Sequence, residues 1–321
     1  MNEQQLQARK DFSRAGFALL AMGITVVILQ ILLGFLVLEG TPIGDAEWII
    51  WLLTFAPMYL VAMPVGIALL KRIPADPHPK EKIGIKRFFV LFLMCMPIMY
   101  GGNIIGTVLS SLLSGGTAEN ALMDYVMGNP LYSILVMVIL APVLEEYIFR
   151  KLLIDRLSKY GELTAMLFSA TVFGLFHMNF FQFFYAFGLG LLFAYIYTRT
   201  RNLLYPVLLH MIINFQGSVL APWLLSSVDL ELITALESGA AATEDILGIL
   251  PGLLAYTLYS NALLAAVIAG LVLLIVNWKK RQILPAAPEL PFRPACKAAY
   301  INWGMVLFTL FCLVMIVLAL F

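Results

Sequence analysis

The sequence predicts an all-α, polytopic membrane bundle, on three observations: its composition, a succession of apolar runs of bilayer length, and one-sided placement of positive charge. Of the 321 residues, 62% are hydrophobic and only 12% charged, against about 25% charged in soluble domains. Apolar runs need about 20 residues to cross a bilayer. Nine runs are expected to do so, over 17–38, 48–70, 88–113, 131–152, 163–178, 182–198, 203–225, 254–277 and 299–320. Helix is the state assigned to each, because backbone exposed to lipid must satisfy its hydrogen bonds within its own segment.

Charge placement sets the expected orientation, since short cytoplasmic loops are enriched in Lys and Arg. Arg9, Lys10 and Arg14 precede the first run, and Lys71, Arg72, Lys80, Lys82, Lys86 and Arg87 lie between the second and third. Arg150, Lys151, Arg156 and Lys159 follow the fourth, Arg199 and Arg201 the sixth, and Lys279, Lys280, Arg281, Arg293 and Lys297 the eighth. The alternate loops hold Glu39, Asp45, Glu47, Glu119, Asp124, Asp229, Glu231, Glu237, Glu244 and Asp245 with no Lys or Arg among them. Nine crossings then place the N-terminus inside and Phe321 outside.

A net charge of +1 conceals this asymmetry, and no basic stretch interleaved with aromatics suggests nucleic acid. The first run lacks a small-residue cleavage site and is expected to stay as a signal-anchor. Cys95, Cys296 and Cys312 show no paired spacing for a disulfide or zinc and are assigned to packing. The C-terminus is not a prenylation box. The proline-rich stretches Pro74–Pro79 and Pro285–Pro291 are expected to be extended connectors, with His78 a solvated loop residue. The acidic segment 226–250 is expected to lie along the outer surface.

Ionisable groups inside a membrane are costly and mark a function or a partner. Late in the fourth run, Pro142-Val-Leu-Glu145-Glu146 is followed by Arg150. The fifth carries Phe173-Gly-Leu-Phe-His177, and the seventh carries His210-Met-Ile-Ile-Asn214, one helical turn apart on one face. The two glutamates point about 100° apart. Glu146 meets Arg150 at i,i+4 with the acid first, the favourable order. Glu145 has no such partner and is expected to face across the bundle towards His177 or His210 as a general base.

Glu-Glu-x-x-x-Arg, Phe-x-x-x-His and His-x-x-x-Asn, in this order, resemble the three motifs of the CPBP family, the CAAX proteases and bacteriocin-processing enzymes. Arg199-Thr-Arg-Asn-Leu-Leu-Tyr-Pro206, which leads into His210, is similar to the approach to that family's last core helix. The resemblance covers roughly 130–225 and divides the chain into N-terminal helices 1–129, a catalytic core 130–225 and C-terminal helices 226–321. It implies an intramembrane endopeptidase of the bacterial plasma membrane acting on a peptide or membrane-protein substrate. It also implies that Glu145 and His177 activate water, that His210 and Asn214 stabilise the oxyanion, and that Glu146 and Arg150 support the site. No cofactor is favoured. A zinc version on Glu145, His177 and His210 stays open, because His2Glu is a zinc-peptidase ligand set. A proton-relaying transporter and a non-catalytic immunity protein are the alternatives from other classes, and oligomeric state is not written in the sequence.

Depth raises a difficulty. If Arg150 marks the end of its helix, Glu145 lies about 7 Å from that end and His210 about 13 Å past Arg201, at 1.5 Å per residue. His177 would lie about 20 Å along a crossing that begins at Leu163. Two ways out are a fifth helix that begins inside the cytoplasm, or a hairpin that turns near mid-membrane over 178–182.

Overall fold

The computed structural model describes residues 2–38, 46–76, 79–228, 234, 243–278 and 290–321. His78, most of the acidic loop after Val228 and the connector 285–289 fall outside the described residues. Ten helices organise the chain: α1 (Glu3–Leu38), α2 (Glu47–Leu70), α3 (Ile85–Ser114), α4 (Pro130–Tyr160), α5 (Glu162–Phe176), α6 (Phe180–Thr200), α7 (Leu204–Ser226), α8 (Thr243–Trp278), α9 (Phe292–Tyr300) and α10 (Trp303–Leu318). The protein is an all-α, multi-pass membrane chain, and no strand occurs among the described residues.

Among the described residues, seven helices are long and apolar enough to cross, and α9 with α10 makes an eighth if that pair, bent by 60°, is one span, against the nine expected. The expected fifth span is α5, whose 15 residues reach only about 22 Å, short of a hydrocarbon core of about 30 Å. Gly161, at φ 139°, starts α5 directly after α4. The turn at its far end falls at His177–Asn179, with Met178 at φ 55° and the Asn179 side chain capping α6 through Gln182 N–H.

Three spans widen into π-helical turns, over Pro57–Ala62 in α2, Ser133–Leu140 in α4 and Gln216–Leu220 in α7. Each ends on an i→i−5 bond made by the residue directly before a proline: Met63 N–H to Met58 O, Ala141 N–H to Val136 O, and Ala221 N–H to Gln216 O. Pro64, Pro142 and Pro222 bring no N–H, and the ring crowds the carbonyl one turn back, so the helix opens by a residue rather than breaking. A fourth wide turn, Tyr147–Leu152, contains no proline, and we have no physical account of it.

One buried core joins α1, α2, α4, α5, α9 and α10, and a second joins α3, α6 and α7. Cys95 and Cys312 are buried, as expected of packing residues. The segments that carry basic residues meet at one end of the bundle. Tyr160 Oη donates to buried Asp11 at 2.7 Å, Arg156 Nε donates to Leu70 O at 2.9 Å, and Glu81 N–H donates to Thr200 O at 2.7 Å. Glu162 and Arg199 pair across the base of the α5–α6 hairpin.

Close approach of α3 to the start of α6 rests on Gly102 and Gly106, spaced as small-x-x-x-small on one helix face. A methyl at Gly102 would lie 2.5 Å from Tyr185 Cα, and one at Gly106 would run into Phe180 O. Gly102→Val and Gly106→Val should each cost about 1–3 kcal/mol by overpacking. The measurement is the thermal unfolding midpoint in detergent, and unchanged midpoints would contradict the contact.

Candidate active site

Within α4, the α-helical turn Ala141–Glu146 sits between two π-helical turns and carries both glutamates. Glu146 and Arg150 are fully buried. The Arg150 Nε lies 2.8 Å from Glu146 Oε2, and Nη2 donates to Oε1 at 3.1 Å. The Nε–H is not aimed along the shorter of these, and Nη1 has no oxygen partner. Aromatic faces take that side of the guanidinium instead, with Cζ 4.3 Å from the Phe173 ring centroid and 5.7 Å from that of Phe193.

His210, on α7, stands between the two glutamates. Its Nδ1 is 2.9 Å from Glu146 Oε1 and its Nε2 is 3.9 Å from Glu145 Oε2. Glu146 therefore has two partners, Arg150 and His210. Glu145 looks across the bundle to His210.

His177 caps the C-terminus of α5. Its Nδ1 is 2.8 Å from Phe173 O, and because a carbonyl can only accept, Nδ1 carries the proton and Nε2 keeps a free lone pair. Its ring packs edge-on to Phe173 at 4.9 Å, and Phe173 packs edge-on to His210 at 6.0 Å. One phenylalanine ring thus touches both imidazoles and the guanidinium. Among the described contacts, His177 joins the cluster through Phe173.

The depth difficulty resolves because Arg150 does not end its helix: α4 runs on to Tyr160. Asp155 accepts from Arg201 at 3.2 Å and from Tyr197 at 2.9 Å, which sets α4 level with the end of α6 and the turn that leads into α7. Glu146 is nine residues from Asp155, and His210 is nine residues from Arg201. Ser169 Oγ donates to Phe149 O at 2.6 Å and sets α5 against α4. The His177 ring then folds back one turn over Phe173, in the direction that helical side chains lean.

Asn214 lies one turn beyond His210, and its Nδ2 donates to Met137 O at 2.8 Å. Ala141 N–H bonds five residues back to Val136, so the next bond in that register would run from residue 142 to Met137 O. Pro142 cannot make it. The Asn214 amide takes the carbonyl that the proline leaves without a donor and ties α7 to α4 beside the glutamates, while its second N–H remains available.

The Nδ1 atoms of the two imidazoles face Phe173 O and Glu146, which leaves each Nε2 uncommitted, and Glu145 stands 3.9 Å from His210 Nε2. Among the described residues no three His, Cys, Asp or Glu side chains group closely enough to hold an ion.

The sequence offered no role for Phe173, which was visible only as the first residue of Phe-x-x-x-His.

The glutamates and imidazoles lie on α4, α5 and α7 of a multi-pass membrane protein. Residues 127–216 match the family model described as type II CAAX prenyl endopeptidase Rce1-like. YdiL of Bacillus subtilis (strain 168), named as a membrane peptidase, is 27% identical over 163 residues, which cover 49% of this chain and 66% of that protein. The membrane-embedded CAAX protease MroQ of Staphylococcus aureus (strain USA300) is 35% identical over 83 residues, which cover 24% of this chain and 34% of that protein. The chain spans less than two thirds of the length of either relative. The resemblance to CAAX proteases agrees with the family model and with MroQ. No solved structure matches the chain.

Two outcomes follow from the contacts. Glu146→Ala strands a buried guanidinium and should destabilise the fold by about 3–5 kcal/mol, read as a lower unfolding midpoint. Asn214→Leu should cost about 1–3 kcal/mol by stranding Met137 O. Adding Pro142→Ala to Asn214→Leu supplies a backbone N–H and should recover part of that loss. A double-mutant cycle with no coupling would contradict the link.

Proposed function

We propose that this chain is an intramembrane endopeptidase in which Glu145 and His177 activate a water molecule for attack on a peptide carbonyl. The observation that carries this reading is His210, on α7, held between Glu145 and Glu146 of α4 inside the bundle. The family model and the relatives named as membrane peptidases support it from outside the geometry.

The water donates one hydrogen bond to the Glu145 carboxylate and another to the free Nε2 lone pair of His177. As its oxygen bonds to the carbonyl carbon, Glu145 takes the proton. The carbonyl oxygen becomes an oxyanion facing His210 Nε2, which serves as donor when it carries a proton, and the second N–H of the Asn214 amide. One such donor in a dry site is worth about 3–4 kcal/mol of barrier. The C–N bond then breaks and Glu145 returns its proton to the leaving amine, so atoms and charge balance. Glu146 acts through His210 Nδ1, and Arg150 balances the charge on Glu146. The Met137 carbonyl orients the Asn214 amide.

The substrate class is a peptide segment or membrane-protein tail reaching the cluster from the bilayer, and with the basic loops inside the cell the site opens towards the cytoplasmic half. Purified protein in detergent should cleave members of a quenched-fluorescence peptide library. Glu145→Ala, His177→Ala and His210→Ala should each lose nearly all activity while keeping the wild-type unfolding midpoint to within a few degrees. Equal rates for wild type and Glu145→Ala would overturn the enzyme reading. Activity should persist in metal-free protein with chelator. Stoichiometric zinc, with activity lost to chelator and regained with the metal, would replace the water mechanism by a zinc one.

A further inference from the structure

Five cations at the basic end of the bundle have carboxylate partners there: Lys151 and Arg201 on Asp155, Arg14 and Lys159 on Asp11, Arg199 on Glu162. Arg9, Arg293 and Lys297 do not. None of the three meets a carboxylate among the described residues, yet all three line one cavity of about 460 Å³ between the start of α1 and α9, together with Gln5 and Ile301. No acidic residue lines it. Three positive charges around one concavity repel each other at an energetic cost, and they attract a compact anion.

The surroundings say where that anion comes from. Helix α9 is strongly two-faced: Ala295, Ala298 and Ala299 are buried, while Arg293 and Lys297, one turn apart, face the cavity. It meets α10 at 60°, so it lies across the bundle's spans, as a helix in the plane of the membrane surface does. Beside it Phe292 is 51% exposed, Ile301 57% and Trp303 71%, an apolar rim that inserts among acyl chains. A free anion in water gains nothing from that rim. A lipid, whose phosphate enters the cavity while its chains lie along the rim, uses both features.

We propose that Arg9, Arg293 and Lys297 form a binding site for the phosphate of an anionic phospholipid headgroup. The site is separate from the glutamate and histidine cluster and does not rest on the peptidase reading. The test uses the full-length chain, extracted in mild detergent from vesicles of equal parts phosphatidylglycerol and phosphatidylcholine, with retained lipid measured by native mass spectrometry. Wild type should retain phosphatidylglycerol in preference to phosphatidylcholine. Arg9→Gln/Arg293→Gln/Lys297→Gln should retain at least tenfold less of it, since each cation beside an anionic headgroup is worth about fivefold.

Lys80→Gln/Lys82→Gln/Lys86→Gln, with the same change in net charge on the same end of the protein, should retain it as wild type does. Should the first triple variant fold poorly, Arg293→Gln/Lys297→Gln takes its place, with at least a fivefold loss. Equal loss in the Lys80 set would show diffuse electrostatics and overturn the site, as would undiminished retention in the first variant. A thermal shift of wild type by millimolar inorganic phosphate, equal to that given by phosphatidylglycerol and absent in the variant, would reassign the cavity to free phosphate.

Discussion

The bundle is organised around a charge that cannot leave it. Arg150 is fully buried, far from the end of α4, and a guanidinium in that position is tolerable only with Glu146 against it and aromatic faces on its open side. Meeting that requirement fixes much else. Glu146 has an oxygen to share with His210, which fixes the rotation of α7, and Phe173 must lie flat against the guanidinium, which fixes α5. The proposed chemistry inherits its geometry from the solution to an electrostatic problem.

Backbone irregularity does related work. Prolines in α2, α4 and α7 each coincide with a widened turn, and in α4 the carbonyl released by Pro142 becomes the anchor for Asn214. A defect in one helix thus serves as a docking point for its neighbour, on the same helix as Glu145. A soluble protein could leave such a carbonyl to water, whereas in lipid it must find a protein donor.

Much of this was legible in the sequence, for identifiable reasons. Hydropathy and the placement of Lys and Arg gave the helical membrane class, because the bilayer imposes length and composition directly. The i,i+4 spacing gave Glu146 with Arg150, and elimination gave Glu145 its direction. Arg150 misled because a cation at the end of an apolar run looks like a membrane boundary, whereas here the run continues through Leu152, Leu153 and Ile154 to the network of Asp155, Arg201 and Tyr197. The second partner of Glu146 was hidden, since it depends on the rotation of α7, and hydropathy carries no such phase. The shortness of α5 was hidden too, because its apolar run continues into α6 with only a polar turn between.

Phe173 carries one consequence beyond packing. An aromatic ring has a negative face and a positive edge, and this one turns its face to the guanidinium and meets two imidazoles at near right angles. It is therefore a fixed quadrupole inside the charged cluster and takes part in its electrostatic balance although it bears no charge. An aliphatic residue of matching volume would fill the same space and leave that balance altered, so conservation of hydrophobicity at this position is not conservation of function.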